Sequence, residues 1–184
     1  SIGSGWSNAS NTPFRLYKHY SHEGGISMPA IVHWPGGKLP KGKVLDTPAH
    51  IIDLVPTMLE AAHAEYPQQW QDNSTIKLPG LSLVDLWQTG KPDDVMHKRA
   101  LFFEHQGSRA VREGNWKLVA TRGQPWELYH ISHDRIESRD LVKRHPLLAR
   151  TLAAKWDRWA DANQGTPLPR NLGADYLPSS PSDK

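Results

Sequence analysis

The chain has 184 residues, of which 38% are hydrophobic and 22% charged, enough for one ordinary domain or for a small domain plus a piece of a neighbour. Its net charge of +3 comes from scattered basic residues, which argues against a nucleic-acid partner. The chain has no cysteine, which excludes disulfides and thiolate metal sites, and no stretch approaches the roughly 20 apolar residues of a membrane span, so we expect no membrane partner.

The first part of the chain is predicted to be an ordered loop followed by a buried strand. Glycines, asparagines and a proline interrupt any regular period over residues 1–25. A strand is predicted over Ile26–Trp34, because the apolar run ISMPAIVHW stops at the turn signal Pro35–Gly37. The chain opens on a polar, Gly- and Ser-rich stretch without a methionine, so we expect Ser1 to follow an upstream segment.

Two helices are predicted in the next part. Asp53 is a suitable N-cap for a helix over Leu54–Ala64. Its predicted buried face consists of Leu54, Val55, Met58, Leu59 and Ala62. Residues 64–80 are polar and contain prolines, which predicts a surface connection, and Ser82 is suited to cap a short helix through Gln88.

The last part is predicted to be a small sheet followed by a long helix. From Ala100, the strand-like runs ALFFEH, SRAVREG, WKLVAT and WELYHI are separated by turn residues, which predicts an antiparallel meander. Apolar residues at spacings of three and four predict an amphipathic helix over Pro146–Asn163 that packs on this sheet. The proline-rich stretch Thr166–Lys184 is predicted to be extended or disordered.

The densest polar cluster is KHYSHEGG, from Lys18 to Gly25. An ammonium group such as that of Lys18 is a point charge that stabilises negative charge on an anionic ester oxygen. Gly24 and Gly25 allow a tight backbone turn. The alternative is a solvated loop lysine, and the spacing of the residues does not decide between the two interpretations.

Three segments in a fixed order resemble the sulfatase family. The first, NTPFRLYKHYSHEGGISMPAIVHWPGG, is similar to a family segment in which a lysine precedes a Glu-Gly-Gly turn by five residues, here Lys18 and Glu23. The second, HIIDLVPTMLEAA, resembles the family's Asp-x-x-Pro-Thr helix. The third, FFEHQGSRAVREGNWKLV with WELYHI, resembles its carboxy-terminal meander. Together these segments cover about Asn11–Gln164.

The resemblance implies an α/β fold class. Residues 1–90 are then a remnant of an alkaline-phosphatase-like catalytic domain, and residues 91–165 a small α+β subdomain with a four-stranded antiparallel sheet and a long C-terminal helix. Residues 166–184 form the tail. The implied activity is hydrolysis of an aryl or carbohydrate sulfate by the complete protein, which the family resemblance places in the periplasm or outside the cell.

Five residues are candidates for the site, and the resemblance implies a role for the first of them. Lys18 is expected to be catalytic, stabilising the bridging oxygen as the alcohol departs. His19 and His22 are expected at the substrate, although loop histidines are more often structural or solvated. His105, at the end of ALFFEH, is expected at the substrate rim or, alternatively, as the residue that closes a hairpin. Arg109 is a weaker candidate for a second anionic group.

Other parts of the family's catalytic machinery are absent from this chain. The family signature C/S-x-P-x-R, whose first residue becomes formylglycine, does not occur, nor does its Asp-Asn-Gly stretch, and the early part of the chain has no counterpart of the family's early Asp-Asp pair. The resemblance therefore implies that formylglycine and the Ca²⁺ ligands belong to a missing N-terminal catalytic part. We expect no metal ligand in this chain, and no turnover of a sulfate-ester substrate by the chain alone.

Two alternatives remain open at this point. One is a phosphodiesterase or phosphonate monoester hydrolase of the same superfamily, which this portion of sequence does not separate from a sulfatase. The other is a non-catalytic module that holds sulfated glycan through Arg109, Arg112, Lys117 and exposed tryptophans. An independent module is expected to fold cooperatively alone, whereas a piece of a larger sheet exposes an unpaired edge.

Overall fold

The computed structural model describes residues 3–163. Its helices are α1 Gly3–Ser10, α2 Glu23–Ile26, α3 Leu54–Ala61, α4 Val84–Thr89, α5 Asp94–Lys98 and α6 Pro146–Asn163. Its strands are β1 Gln69–Trp70, β2 Asn73–Ser74, β3 Ala100–His105, β4 Ser108–Glu113, β5 Trp116–Ala120 and β6 Glu127–His130. Short 3₁₀ turns cover Pro35–Gly37 and Ile51–Asp53.

The chain divides into two compact units. One unit combines the residues up to Pro29 with those from Ala100 onward, and the other is Ala30–Arg99. The domain boundaries expected from the sequence, after residues 90 and 165, stay a prediction. The first unit therefore joins the KHYSHEGG segment to the meander, although more than seventy residues separate them along the chain.

The predicted meander is confirmed. Four antiparallel strands lie in the order β3-β4-β5-β6. Val111 of β4 pairs with Leu118 of β5, and Leu118 pairs with Leu128 of β6. Because side chains alternate across a strand, these three residues lie on one face of the sheet. The predicted α/β class with a four-stranded antiparallel sheet and a C-terminal helix is confirmed as well.

Helix α6 covers one face of this sheet and spans the predicted residues, Pro146–Asn163. Its Ala149 and Leu152 are buried against Val111, Leu118 and Leu128. The Trp156 side chain packs against the same cluster, and its indole N–H donates to the carbonyl oxygen of Phe103 at 3.2 Å. Trp159 stacks on Phe102, with ring centroids 5.3 Å apart. Both tryptophans therefore serve packing.

The second unit is organised around the buried carboxylate of Asp53. Both Asp53 oxygens accept hydrogen bonds from the Arg99 guanidinium at 2.6 Å, a bidentate pairing that favours the ionised acid. The backbone N–H of His50 donates to Asp53 at 2.8 Å, and that of Leu81 donates at 3.0 Å. Asp53 was predicted as an N-cap, but its side chain does not cap α3. It joins α3 to the chain around Leu81 instead.

Two predictions for the first part of the chain are wrong. Residues 1–25 contain the exposed helix α1 within the predicted loop. The strand predicted over Ile26–Trp34 is absent: Ile26 ends helix α2, and the following residues up to Trp34 have no regular structure. Ile31 is 96% exposed. A β-branched apolar run forms a strand only where a neighbouring strand pairs with it, and among residues 3–163 none does.

The predicted buried face of α3 is also wrong. Leu54, Val55 and Met58 are 41%, 47% and 64% exposed, and Thr57 is the buried residue of the helix. The Thr57 hydroxyl donates to the carbonyl oxygen of Asp53 at 2.5 Å and accepts the backbone N–H of Leu83 at 2.9 Å. The spacing of apolar residues predicted the helix, but the hydrogen bonds of Thr57 determine which side of the helix is buried.

The prediction for Thr166–Lys184 lies outside the described residues.

The packing of α6 on the sheet predicts a large effect of truncating Leu152, which is 1% exposed. Leu152→Ala is expected to lower the free energy of unfolding by about 2–5 kcal/mol, because it removes buried methyl groups and leaves a cavity. The control is Leu147→Ala on the same helix, where the side chain is 73% exposed and an effect below about 0.5 kcal/mol is expected. Urea unfolding followed by circular dichroism measures both, and equal effects would contradict this packing.

Candidate functional site

The KHYSHEGG segment lies against the sheet face opposite α6. Alternation along the strands directs Val111 and Leu118 toward α6 and turns Ala110, Lys117 and Val119 to the other face. On that face the backbone N–H of Ser21 donates to the Ser108 hydroxyl at 2.8 Å. The segment is therefore fixed to the sheet by specific polar contacts. Two ionic clusters, one fully buried and one half-buried, provide most of them.

The first cluster places one lysine between two glutamates. The Lys117 ammonium donates to Oε1 of Glu23 at 2.8 Å and lies 2.9 Å from Oε1 of Glu137 as an ion pair. Glu137 also accepts the backbone N–H of Glu23 at 2.8 Å. All three side chains are at most 1% exposed. The glutamate of the Glu-Gly-Gly motif is thus an internal anchor and does not reach the surface.

The charge on Glu23 is maintained by its surroundings. Burial by itself raises the pKa of a carboxyl group, but the field and hydrogen bond of Lys117 outweigh it, with smaller contributions from Arg112 and Arg135. The pKa of Glu23 is consequently below its ordinary value. Glu23 is therefore a carboxylate at neutral pH.

The second cluster gathers three donors on one glutamate oxygen. Oε2 of Glu127 accepts from Arg15 at 2.9 Å, from the Tyr129 hydroxyl at 2.8 Å and from Nε2 of His22 at 3.0 Å. Arg15 also donates to the Tyr129 hydroxyl at 2.8 Å. Arg15 and His22 precede the Glu-Gly-Gly turn, so this cluster fixes the chain on both sides of Lys18.

His22 is a buried, neutral histidine. Its side chain is fully buried, and its Nδ1 has no hydrogen-bond partner among the described residues. Burial lowers its pKa and outweighs the opposing hydrogen bond to Glu127. Nε2 therefore carries the proton that Glu127 accepts, so the contact is a hydrogen bond of the neutral imidazole. The position of His22 indicates a structural role, and its expected contact with substrate stays a prediction.

Gly24 and Gly25 are required by close backbone contacts. A Cβ atom at Gly24 would lie 2.1 Å from the carbonyl oxygen of Leu16, and one at Gly25 would lie 1.9 Å from that of Tyr20. Both distances are too short for any side chain. The backbone N–H of Gly24 donates to the carbonyl oxygen of Arg15 at 2.9 Å. The two glycines let the turn close under the loop that carries Lys18.

Lys18 lies at the exposed tip of this loop. Its neighbours Leu16 and His19 have positive φ angles of 65° and 91°, a conformation in which ordinary residues persist only when surrounding contacts hold them. Within residues 3–163, the Lys18 ammonium has no hydrogen bond or ion pair with another group. The structure therefore presents an uncompensated positive charge on a constrained loop.

Two of the predicted site histidines meet beside this loop. Nδ1 of His19 lies 3.3 Å from Nε2 of His105 and 3.1 Å from the side-chain oxygen of Gln106. The two imidazole rings are 5.4 Å apart at their centroids. His105 ends β3 at the hairpin with β4, so the interpretation as a hairpin residue and the interpretation as a rim residue are both compatible with its position.

Arg109 lies on the other face of the sheet. Its guanidinium carbon is 4.4 Å from the centroid of Trp126 and 5.9 Å from that of Trp156, a cation–π arrangement. Burial lowers the pKa of Arg109. This geometry gives Arg109 a packing role next to α6, away from His19 and His105, and its predicted contact with substrate stays a prediction.

Several residues of this region were not predicted from the sequence. Lys117, Glu127 and Glu137 form the two anchoring clusters, and Lys117, considered above as a glycan contact, is fully buried and unavailable to a ligand. The usable signal was a lysine inside the apolar run WKLVA, because a buried ammonium requires a carboxylate partner. Arg122 was also missed: its side chain packs beside Gly107, and one of its guanidinium nitrogens is buried without a partner in the described chain.

No group of three or more histidine, cysteine, aspartate or glutamate side chains is arranged to hold a metal ion within residues 3–163. No helix in the same range has the length and apolar character required to cross a membrane.

Comparison with known proteins identifies similar chains. Residues 14–157 match a family profile described as N-sulphoglucosamine sulphohydrolase, C-terminal. An uncharacterized sulfatase of Schizosaccharomyces pombe is 34% identical over 162 residues, which cover 84% of this chain and 28% of that protein. Arylsulfatase D of Homo sapiens is 46% identical over 108 residues, 59% of this chain and 16% of that protein.

A solved structure is similar as well. The crystal structure of Ps i-CgsB in complex with k-i-k-neocarrahexaose matches with a TM-score of 0.68 and 25% sequence identity, over 80% of this chain and 32% of that chain. The chain thus spans less than a third of the length of each of these proteins.

The anchoring of Glu23 predicts a strong dependence of stability on Lys117. Lys117→Met keeps a similar volume but leaves two buried carboxylates without their cation, which is expected to cost about 3–5 kcal/mol of unfolding free energy. Lys143→Met is the matched control, because Lys143 is exposed. Urea unfolding at pH 7.5 measures both variants, and indistinguishable midpoints would refute the anchoring role.

The neutral state of His22 predicts a pH dependence of stability. Its folded pKa lies below the ordinary value of 6.5, so the unfolded chain binds a proton more readily; the stabilisation is full above pH 6.5 and is lost as the pH falls through the folded pKa. Lowering the pH from 7.5 to 5.5 is expected to cost up to about 1.4 kcal/mol through this residue. His22→Gln should remove that contribution, whereas the exposed His97→Gln should retain it. Equal pH dependence in both variants would contradict a neutral His22.

Proposed function

Because the chain belongs to the sulfatase family, whose C-terminal region its profile match covers, we propose that it supplies a catalytic lysine, Lys18, to an enzyme that hydrolyses sulfate esters. The observation that carries the proposal is the presentation of Lys18. Its loop is held before Lys18 by the ion pair of Arg15 with Glu127 and after it by the buried ion pair of Glu23 with Lys117, while its own ammonium is exposed and unpaired within the described residues. A charge held in this way is available to an anionic substrate.

The proposed role of Lys18 follows from the charge changes in the reaction. Hydrolysis breaks the bond between sulfur and the bridging oxygen, and negative charge develops on that oxygen as the alcohol departs. An ammonium group within hydrogen-bond distance of the oxygen stabilises this charge more strongly in the transition state than in the ground state. Two positive-φ residues beside Lys18 restrict the loop, which lowers the cost of holding the ammonium in place.

His19 and His105, with Gln106, supply a polar rim beside Lys18. Nδ1 of His19 and Nε2 of His105 face each other. A substrate hydroxyl or sulfate oxygen that approaches Lys18 would therefore meet the second ring nitrogen of each imidazole. We propose that these residues bind the substrate without taking part in bond cleavage. A carbohydrate sulfate suits such a rim, and the similar structure of Ps i-CgsB contains a bound saccharide.

The other groups required for the reaction are proposed to lie outside this chain. The described residues contain no cluster that fits a metal ion, and the sequence has neither cysteine nor the formylglycine signature. The Ca²⁺ and formylglycine implied by the family resemblance therefore do not fit the residues present here. We propose that an N-terminal catalytic part holds them and that this chain alone does not release sulfate.

Removing the Lys18 ammonium tests the proposal. In the full-length protein, Lys18→Ala is expected to lower kcat for sulfate release from an aryl sulfate by about a hundredfold, equivalent to roughly 2.7 kcal/mol of barrier. Lys41→Ala removes an exposed lysine from another loop and should leave kcat unchanged. Both rates are measured at matched concentrations of folded protein.

The remaining outcomes are equally informative. Near-native turnover by Lys18→Ala would overturn the role of this lysine. Absence of sulfate release from the unmodified full-length protein, together with turnover of a phosphonate monoester, would favour the phosphoester hydrolase alternative. Sulfate release by the 184-residue chain alone would overturn the assignment of the nucleophile to another part of the protein.

A further inference from the structure

A hollow lies at the end of the meander opposite the His105 hairpin. It has a volume of about 310 Å³ and is lined by Trp116, His130, His133, Asp134, Arg139 and Leu141. Trp116 pairs with His130 where β5 begins and β6 ends, whereas His105 pairs with Ser108 at the other end of the sheet. Ligand pockets commonly have volumes of roughly 300–1,000 Å³, so this hollow suits a single ring-sized group.

The walls of the hollow are aromatic rings held in fixed positions. The Trp116 ring is in edge contact with His130 at 4.6 Å and with His145 at 5.1 Å between centroids. His133 stacks on His130 with centroids 4.6 Å apart and an interplanar angle of 19°. Ring contacts that already exist before binding reduce the ordering cost of binding a flat or puckered ring. The C–H faces of a pyranose sugar pack on such surfaces.

The rim of the hollow carries one carboxylate, that of Asp134, and one guanidinium, that of Arg139. The Asp134 carboxylate is already occupied, since it accepts the backbone N–H groups of Ser138 and Arg139 at 2.9–3.0 Å and the Ser138 hydroxyl at 3.0 Å. The Arg139 side chain is exposed, and its positive charge helps to lower the pKa of Asp134. Within residues 3–163 its guanidinium N–H groups make no hydrogen bond or close ion pair, so they remain available to a ligand. A guanidinium fork of this kind binds sulfate and carboxylate groups in a bidentate manner.

We propose that this hollow is a saccharide subsite that binds one pyranose ring of an acidic polysaccharide, with Arg139 pairing with a sulfate or carboxylate on that ring. The rings of Trp116, His130 and His133 supply the packing surface, and Arg139 supplies the selectivity for acidic over neutral sugars. The choice of an acidic saccharide rests on the proposed sulfatase function. A polymeric substrate would thereby gain a second contact in addition to those near Lys18.

The test measures polysaccharide binding and small-substrate turnover separately. The full-length protein is run in native gels that contain dextran sulfate or the same concentration of neutral dextran. Dextran sulfate is expected to slow the unmodified protein more than neutral dextran does, and Arg139→Ala is expected to raise the apparent Kd for dextran sulfate by about fivefold or more, as loss of a charge-assisted pair implies. His133→Ala, which removes one ring of the wall, should weaken binding to a smaller extent.

Arg150→Ala is the matched control, because it removes an exposed arginine of α6 and changes the net charge equally. The proposal is supported if Arg150→Ala binds like the unmodified protein and Arg139→Lys restores part of the loss. It is overturned if Arg139→Ala and Arg150→Ala weaken binding equally, if neither does, or if both dextrans slow the protein alike. The control variant Arg150→Ala should release sulfate from a small aryl sulfate at the unmodified rate. Failure of the sulfatase proposal would instead appear as absence of that release in every variant, whatever the gels show.

Discussion

The structure of the candidate site depends on one buried lysine between two carboxylates. Burial of Lys117, Glu23 and Glu137 costs several kcal/mol of desolvation for each ion, and short contacts of 2.8–2.9 Å offset that cost. Such a cluster tolerates little displacement, because moving one group leaves the others charged and unpaired. The loop that precedes Glu23 therefore has a defined position on the sheet, and Lys18 is exposed at a defined place in that loop.

This arrangement changes the interpretation of the Glu-Gly-Gly motif. Its glutamate is directed into the protein, and its glycines are too close to the backbone at Leu16 and Tyr20 for any Cβ atom. None of the three residues is exposed in a way that suits contact with substrate. The separation of five residues between Lys18 and Glu23 spans the stretch from the exposed tip of the loop to its buried anchor. The motif has a structural function that serves the neighbouring lysine.

Local signals predicted most of the fold. The four strands from Ala100 to His130 and the helix Pro146–Asn163 follow from turn residues and periodicity, and both patterns lie within the segment they describe. The prediction was wrong for Ile26–Trp34 and for the buried face of α3, where the result depends on which groups pair with the segment. A pattern of apolar residues identifies a face that must pack against another part of the protein, but it does not identify that part.

The candidate site was predictable only in part, for the same reason. Motif and position predict Lys18, His19 and His105 as site residues. The structure brings the two histidines together, and the roles of all three residues stay predictions. The partners that hold the loop were not selected, since Glu23 and Lys117 are 94 residues apart in the chain. A charged residue in an apolar strand shows that a partner exists, and only the fold shows which one. In this chain one face of the sheet brings Lys117 to its carboxylate partners, and the other face packs against α6. The stability of the unit and the placement of Lys18 therefore depend on the same four strands.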